Sequence, residues 1–90
     1  MFRVRWARVA LNQLGAAWSQ ADAALRQRIT MAAHRLDQQL RNDPLSRSES
    51  RPGGRRIRFT PPLGVIFRIE ADGRTVSVLR VWVVRRRHRP

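Results

Sequence analysis

LGVIFRIEADGRTVSVLRVWVV, residues 63–84, decides the fold. Residues 63–70 and 74–84 alternate apolar with polar or charged side chains, the two-residue period of strands with one buried face. Ala71-Asp72-Gly73 between them is a turn signal, so the two runs form an antiparallel hairpin. A three-residue loop puts Gly73 where a positive φ is needed and sets Glu70 opposite Arg74. In that register Leu63, Val65, Phe67 and Ile69 share a face with Leu79, Val81 and Val83. The opposite face then carries Ile66, Arg68, Val78, Arg80 and Trp82. A two-residue loop would place the apolar rows on opposite faces, so the first register is expected.

Upstream, residues 55–60 set Ile57 and Phe59 against Arg56 and Arg58, a third strand that Pro61-Pro62 ends. This strand can add Arg56 and Arg58 to the arginine-bearing face. Residues 43–54 (DPLSRSESRPGG) are rich in Ser, Pro and Gly and read as a mobile connection. Before it, Leu25, Ile29, Ala32, Leu36 and Leu40 form the stripe of an amphipathic helix. Ser19 is placed to cap it, with Asp22 near the positive end of its dipole, and Asp43-Pro44 stops it. A first helix starts at Ala7 and runs to Trp18, with Ala10, Leu14 and Trp18 four apart and Val9, Leu11 and Ala17 beside them. Trp6 and Trp18 both follow the core pattern. Residues 2–6 alternate Phe2, Val4 and Trp6 with Arg3 and Arg5, a short opening strand. The fold class is α+β, ordered β-α-α-β-β-β, with a helical hairpin packed on one face of a small, mainly antiparallel sheet. The 90 residues make one domain, with 84–90 as a flexible basic tail.

The formal charge is +13, from 19 basic residues against six acidic ones, and every basic residue is arginine. Codon usage accounts for arginine in place of lysine, but not for the excess of charge. A domain this basic repels itself, so the charge serves a nucleic acid or an acidic protein partner. Residues 1–50 carry eight arginines and four acids, a net of +4; residues 51–90 carry eleven and two, a net of +9. The anion-binding surface is expected in the second half. Cysteine is absent, which fits a reducing cytosol and excludes thiolate chemistry. With no long apolar run and no secretion signal, the expected location is the cytoplasm, away from any membrane.

Few side chains here can move protons. Glu49 is the one carboxylate to nominate as a base. His88 lies among arginines near the chain end, where neighbouring positive charge favours its neutral form. His34 sits mid-helix and reads as structural or surface. Trp82 can stack a nucleobase or cover apolar sheet surface. Two histidines 54 positions apart without cysteine make no metal site, and Gly53-Gly54 without a following Lys-Ser/Thr is no phosphate-cradling loop. No cofactor is expected.

VRWARVALNQLGAAW at 4–18 resembles the opening strand and first helix of the RelE/ParE toxin superfamily. LDQQLRNDPL at 36–45 is similar to the end of its second helix, and GGRRIRFTPPLGVIFRIEADGRTVSVLRVW at 53–82 to its three-strand core. The resemblance implies a toxin neutralised by a cognate, usually acidic antitoxin. It implies one of two activities: cleavage of mRNA on the ribosome, as in RelE-like members, or poisoning of DNA gyrase, as in ParE-like members. Arg80 in VLRV matches the family's basic residue on the last strand, and Arg56 and Arg58 those around the second. The chain departs from nuclease members at Leu63-Gly64 and at Val83, and it has no tyrosine. The first expectation is ribosome-dependent mRNA cleavage with an incomplete acid/base set. Arg80, Arg58 and Glu49 are its catalytic candidates. Arg56, Arg58, Arg68, Arg80, Trp82 and the tail residues Arg85, Arg86 and Arg87 would hold RNA, and gyrase inhibition is the alternative.

Overall fold

The computed structural model of the chain describes residues 1–84. Strand β1 (Arg3–Trp6) is followed by helices α1 (Arg8–Gln20) and α2 (Ala23–Asn42). Strands β2 (Ser48–Arg51), β3 (Arg55–Thr60), β4 (Leu63–Ile69) and β5 (Thr75–Val83) complete the chain. One sheet runs β1-β5-β4-β3-β2; β1 lies parallel to β5 and every other pair is antiparallel. The expected α+β order of strand, helical hairpin and meander is present. It gains one strand, because residues read as a mobile connection pair with β3 as β2.

Helix α2 is built as its stripe dictates: Ile29, Ala32, Leu36 and Leu40 are buried against Leu63, Val65, Phe67, Val76, Val78 and Val81 of the sheet. Its cap is Asp22, not Ser19, since the Asp22 carboxylate accepts from Leu25 N–H at 2.8 Å. Helix α1 buries less than its sequence suggests. Ala10 is enclosed and Leu14 and Ala17 pack against the core, but Val9, Leu11 and Trp18 are exposed. Trp18 instead lies under the Arg26 guanidinium, 4.4 Å from the ring centroid, while Arg26 donates to the Trp18 and Ser19 carbonyls that end α1. Trp6 packs against the core as expected, its indole N–H donating to Asp37.

Past Trp6, β1 no longer covers β5, and that leaves an edge. Helix α1 closes it: the Gln13 side-chain carbonyl accepts from Val81 N–H at 2.8 Å. Gln13→Leu therefore orphans a backbone donor beneath α1 and should lower unfolding free energy by about 1–3 kcal/mol in urea titrations. Gln13→Glu, which keeps an acceptor, should lose much less.

The β4–β5 hairpin corrects the expected register. Its loop is one residue longer, so Glu70 pairs with Thr75, Phe67 faces Val78 and Ile69 faces Val76. Val76 and Val78 are thus core residues, where Leu79 was expected. Gly73 does take the positive φ, 69°. The Asp72 carboxylate ties the loop, accepting from Arg74 N–H, Thr75 N–H and the Thr75 hydroxyl.

These bonds, led by that from Arg74 N–H, hold the Asp72 carboxyl below its usual range of about 3.9. A depressed folded-state pKa gives stability that is full above the unfolded value and lost as pH falls through the folded one. Thermal melts of wild type and Asp72→Asn should thus differ near neutrality and converge in acid. A gap of the same size at neutral pH and below both pKa values would mean that the charge contributes nothing.

Candidate functional site

The sheet register sorts every strand residue onto one of two faces. The face bearing Val65 and Phe67 packs on the helices, and the other has no element over it among the described residues. A β-bulge decides what the open face carries. Leu79 is the extra residue: Phe67 pairs with Val78, but Ile66 pairs with Arg80. Had the register run on unbroken, Arg80 would oppose Val65 and point at the helices. The bulge shifts the alternation by one and turns Arg80 and Trp82 outward.

The open face is laid out in rows across the strands. One row is aromatic, Phe59 beside Gly64 beside Trp82. The Phe59 and Trp82 rings meet edge to face, centroids 6.1 Å apart at 85°. Gly64 is the seat of the indole, for a Cβ there would stand 2.6 Å from Trp82 Cε2. The next row is Glu49, Ile57, Ile66 and Arg80. The third brings Arg51 beside Arg55, sets Arg55 next to Arg68 one step along the β3–β4 ladder, and ends at Ser77 and Arg5. This row is knitted together: Arg5 donates to the Ser77 hydroxyl, Ser77 donates to Glu70 at 2.9 Å, and Arg68 pairs with Glu70 at 3.4 Å. The face thus grades from aromatic to guanidinium.

Of the candidate residues, Arg68, Arg80 and Trp82 share this face, as expected. Arg56 and Arg58 do not. Arg56 pairs with Phe67 and Arg58 with Val65, so both lie on the helix-bearing side. Arg56 is held by the Ser48 and Ser50 hydroxyls and the Ser48 carbonyl. Arg58 is 4% exposed and donates to the Ser46 carbonyl just past α2. Burial and the charge of Arg47 lower its pKa, with Asp43 opposing them. The physical reason is local: β3 extends beyond the helix stripe, where serine hydroxyls, the Ser46 carbonyl and Asp43 offer acceptors and Ile57 and Phe59 would find none of the core.

The catalytic trio is therefore not assembled. Glu49 is on the open face, but it stands on β2, three strands and about 14 Å from Arg80, with Ile57 and Ile66 between. Glu49 pairs with Arg51 at 3.3 Å. Arg85, Arg86, Arg87 and His88 lie outside the described residues. His34 is exposed at the groove between the helices, beside Leu11 and Trp18. Sequence reasoning does not assign Arg5, Arg51, Arg55, Phe59 and Gly64 to this face. The parity of β3 against β4 would have found Phe59, and no local signal marks Gly64 as a seat. Among the described residues no cluster of His, Asp and Glu is placed to hold a metal, and no helix is long and apolar enough to cross a membrane.

Fold and site together define a class: a helical hairpin covering one side of a mixed sheet whose other side presents arginines and aromatics. Residues 4–88 match the family model described as the ParE toxin of the type II toxin-antitoxin system, parDE. The chain belongs to this family of toxins. It superposes on the chromosomal ParDE system from P. aeruginosa with a TM-score of 0.72 at 18% identity, over 94% of this chain and 98% of that one. The RelBE2 toxin–antitoxin complex of Mycobacterium tuberculosis gives 0.63 at 20% identity, over 91% and 96%. The isolated E. coli RelE toxin gives 0.62 at 12%, over 97% and 88%. These structures share the fold. No curated protein matches the chain.

Proposed function

We propose that this toxin arrests growth by gripping a protein target on its open sheet face, in the manner of a DNA gyrase poison, and that an acidic antitoxin neutralises it. The observation that carries the reading is the layout of that face. An aromatic row beside an aliphatic one forms an apolar anchor, and the arginine row next to it suits acidic side chains. Trp and Arg around a desolvated centre are the composition of binding hot spots. RNA cleavage by 2′-hydroxyl attack needs proton removal and leaving-group protonation as well as charge stabilisation, and guanidinium supplies only the last. With Arg58 buried on the other side and Glu49 three strands from Arg80, the nominated nuclease set has no common centre. The antitoxin reading draws support from family membership, from neighbours solved as toxin–antitoxin complexes, and from the charge of +13.

Trp82 with Arg80 nearby favours one second reading, ribosome-dependent mRNA cleavage with Trp82 stacking a base. Both readings meet in one experiment. Purified protein is added to gyrase supercoiling reactions and, separately, to translating ribosomes whose mRNA is mapped by primer extension. Blocked supercoiling with intact transcripts is expected. Cuts at ribosome-occupied codons with supercoiling untouched would replace the proposal with the nuclease reading.

A further inference from the structure

On the helix-bearing side, α2, the turn after it and β3 wall an open hollow of about 290 Å³. Arg58 lines it from β3, Arg35, Gln38 and Asn42 from α2, and Asp43 and Ser46 from the turn. Guanidinium keeps its charge inside a protein, and a buried one calls for a full set of acceptors. Arg58 has one protein acceptor, the Ser46 carbonyl, and its Nε is buried with no partner. Asp43 is the single carboxylate at the rim, and one of its oxygens already accepts from Ser46 N–H. Arg35 adds a second guanidinium on the same wall as Gln38 and Asn42, three and seven residues along one helix face. The hollow therefore holds two planar donor forks and three amides, Gln38, Gln39 and Asn42, around one partly engaged carboxylate.

We infer that this hollow is an anion site that takes a carboxylate side chain from the acidic antitoxin. The inference rests on the antitoxin reading above. A carboxylate matches a guanidinium fork with two parallel hydrogen bonds and brings a single charge, which a site already containing Asp43 tolerates better than a phosphate dianion. The site also faces away from the arginine row, so the antitoxin can occupy it while the target face is separately engaged or blocked.

The test uses the full chain and two probes, sodium acetate and sodium phosphate, at matched ionic strength. Arginine Nε–Hε resonances are followed by NMR, since the buried Arg58 Nε–H is shielded from solvent. Acetate should shift the Arg58 and Arg35 signals saturably, and Arg35→Gln should abolish the response while leaving the fold unchanged. The same variant, at a position exposed on α2, should bind a neutralising antitoxin about tenfold more weakly, by isothermal calorimetry. No acetate response, or a response to phosphate alone, overturns the carboxylate site. A response to acetate with unchanged antitoxin affinity in Arg35→Gln overturns the assignment to the antitoxin. Absence of any neutralising partner would instead defeat the antitoxin reading, and the acetate titration would still decide what the hollow binds.

Discussion

Gly64→Ala should abolish toxicity while leaving the protein folded. Residue 64 is the second residue of β4 and has no positive φ, so alanine costs nothing in the backbone and relieves some of glycine's entropy. The cost lies above it. The added methyl would meet Trp82 Cε2, Cζ2 and Nε1 at 2.6–2.9 Å, closer than carbon atoms approach. The indole must swing off its seat, breaking the edge-to-face contact with Phe59, worth about 0.5–1.5 kcal/mol. Stability should therefore fall by about 1 kcal/mol in urea titration. Target affinity should fall far more, about thirtyfold or beyond, because a displaced tryptophan at a hot spot costs 2 kcal/mol or more. Near-ultraviolet circular dichroism would report the displaced ring, and growth after induction the lost toxicity. A strain that still arrests with Trp82 displaced would remove the aromatic row from the target site.

Much of this geometry is legible in the sequence, and the failures have definite causes. The period of α2 gives its buried stripe residue by residue, because a 20-residue helix repeats its signal over five turns. The hairpin is legible in kind but not in register. Its loop is one residue longer than expected, and taken alone that would have put Arg80 on the helix side. The bulge at Leu79 adds a second one-residue shift, and two such shifts restore the parity, so Arg68, Arg80 and Trp82 emerge on one face for a reason the sequence does not state. Strand β2 hides in a polar stretch because an edge strand of four residues has no apolar face to show.

Strand β3 departs from the pattern for a different reason. Alternation in RRIRFT separates Arg from Ile and Phe, but it cannot say which set faces the helices. The usual assumption sends the apolar set inward. Here the inward side at β3 is the polar end of α2, so arginine finds acceptors there and phenylalanine goes to the open face, 53% exposed. That inversion moves Arg58 out of the candidate active site and Phe59 into it. An exposed Phe59 against a half-buried Trp82, amid arginines, then becomes the strongest functional feature of the surface.

The two phenylalanines supply the sharpest test of this partition. Phe67 is wholly buried on β4, facing Val78 beside the bulge and packed beneath the helices. Truncation to alanine removes its transfer free energy and leaves a cavity that a strand paired on both sides cannot close, for a loss of about 3–5 kcal/mol. A domain of this size has about 5–10 kcal/mol in all, and each kcal/mol is worth roughly 4–8 °C. Phe67→Ala should therefore melt lower by roughly 15–30 °C and lose toxicity only because it unfolds. Phe59→Ala should stay within about 1 kcal/mol of wild type, since half of its ring is already in water, yet lose toxicity at full stability. Differential scanning calorimetry on both variants, alongside growth assays at a temperature where each is folded, separates the effects. Equal melting losses for the two would mean that the sheet is buried on both sides, and a fully toxic Phe59→Ala would mean that the target sits elsewhere.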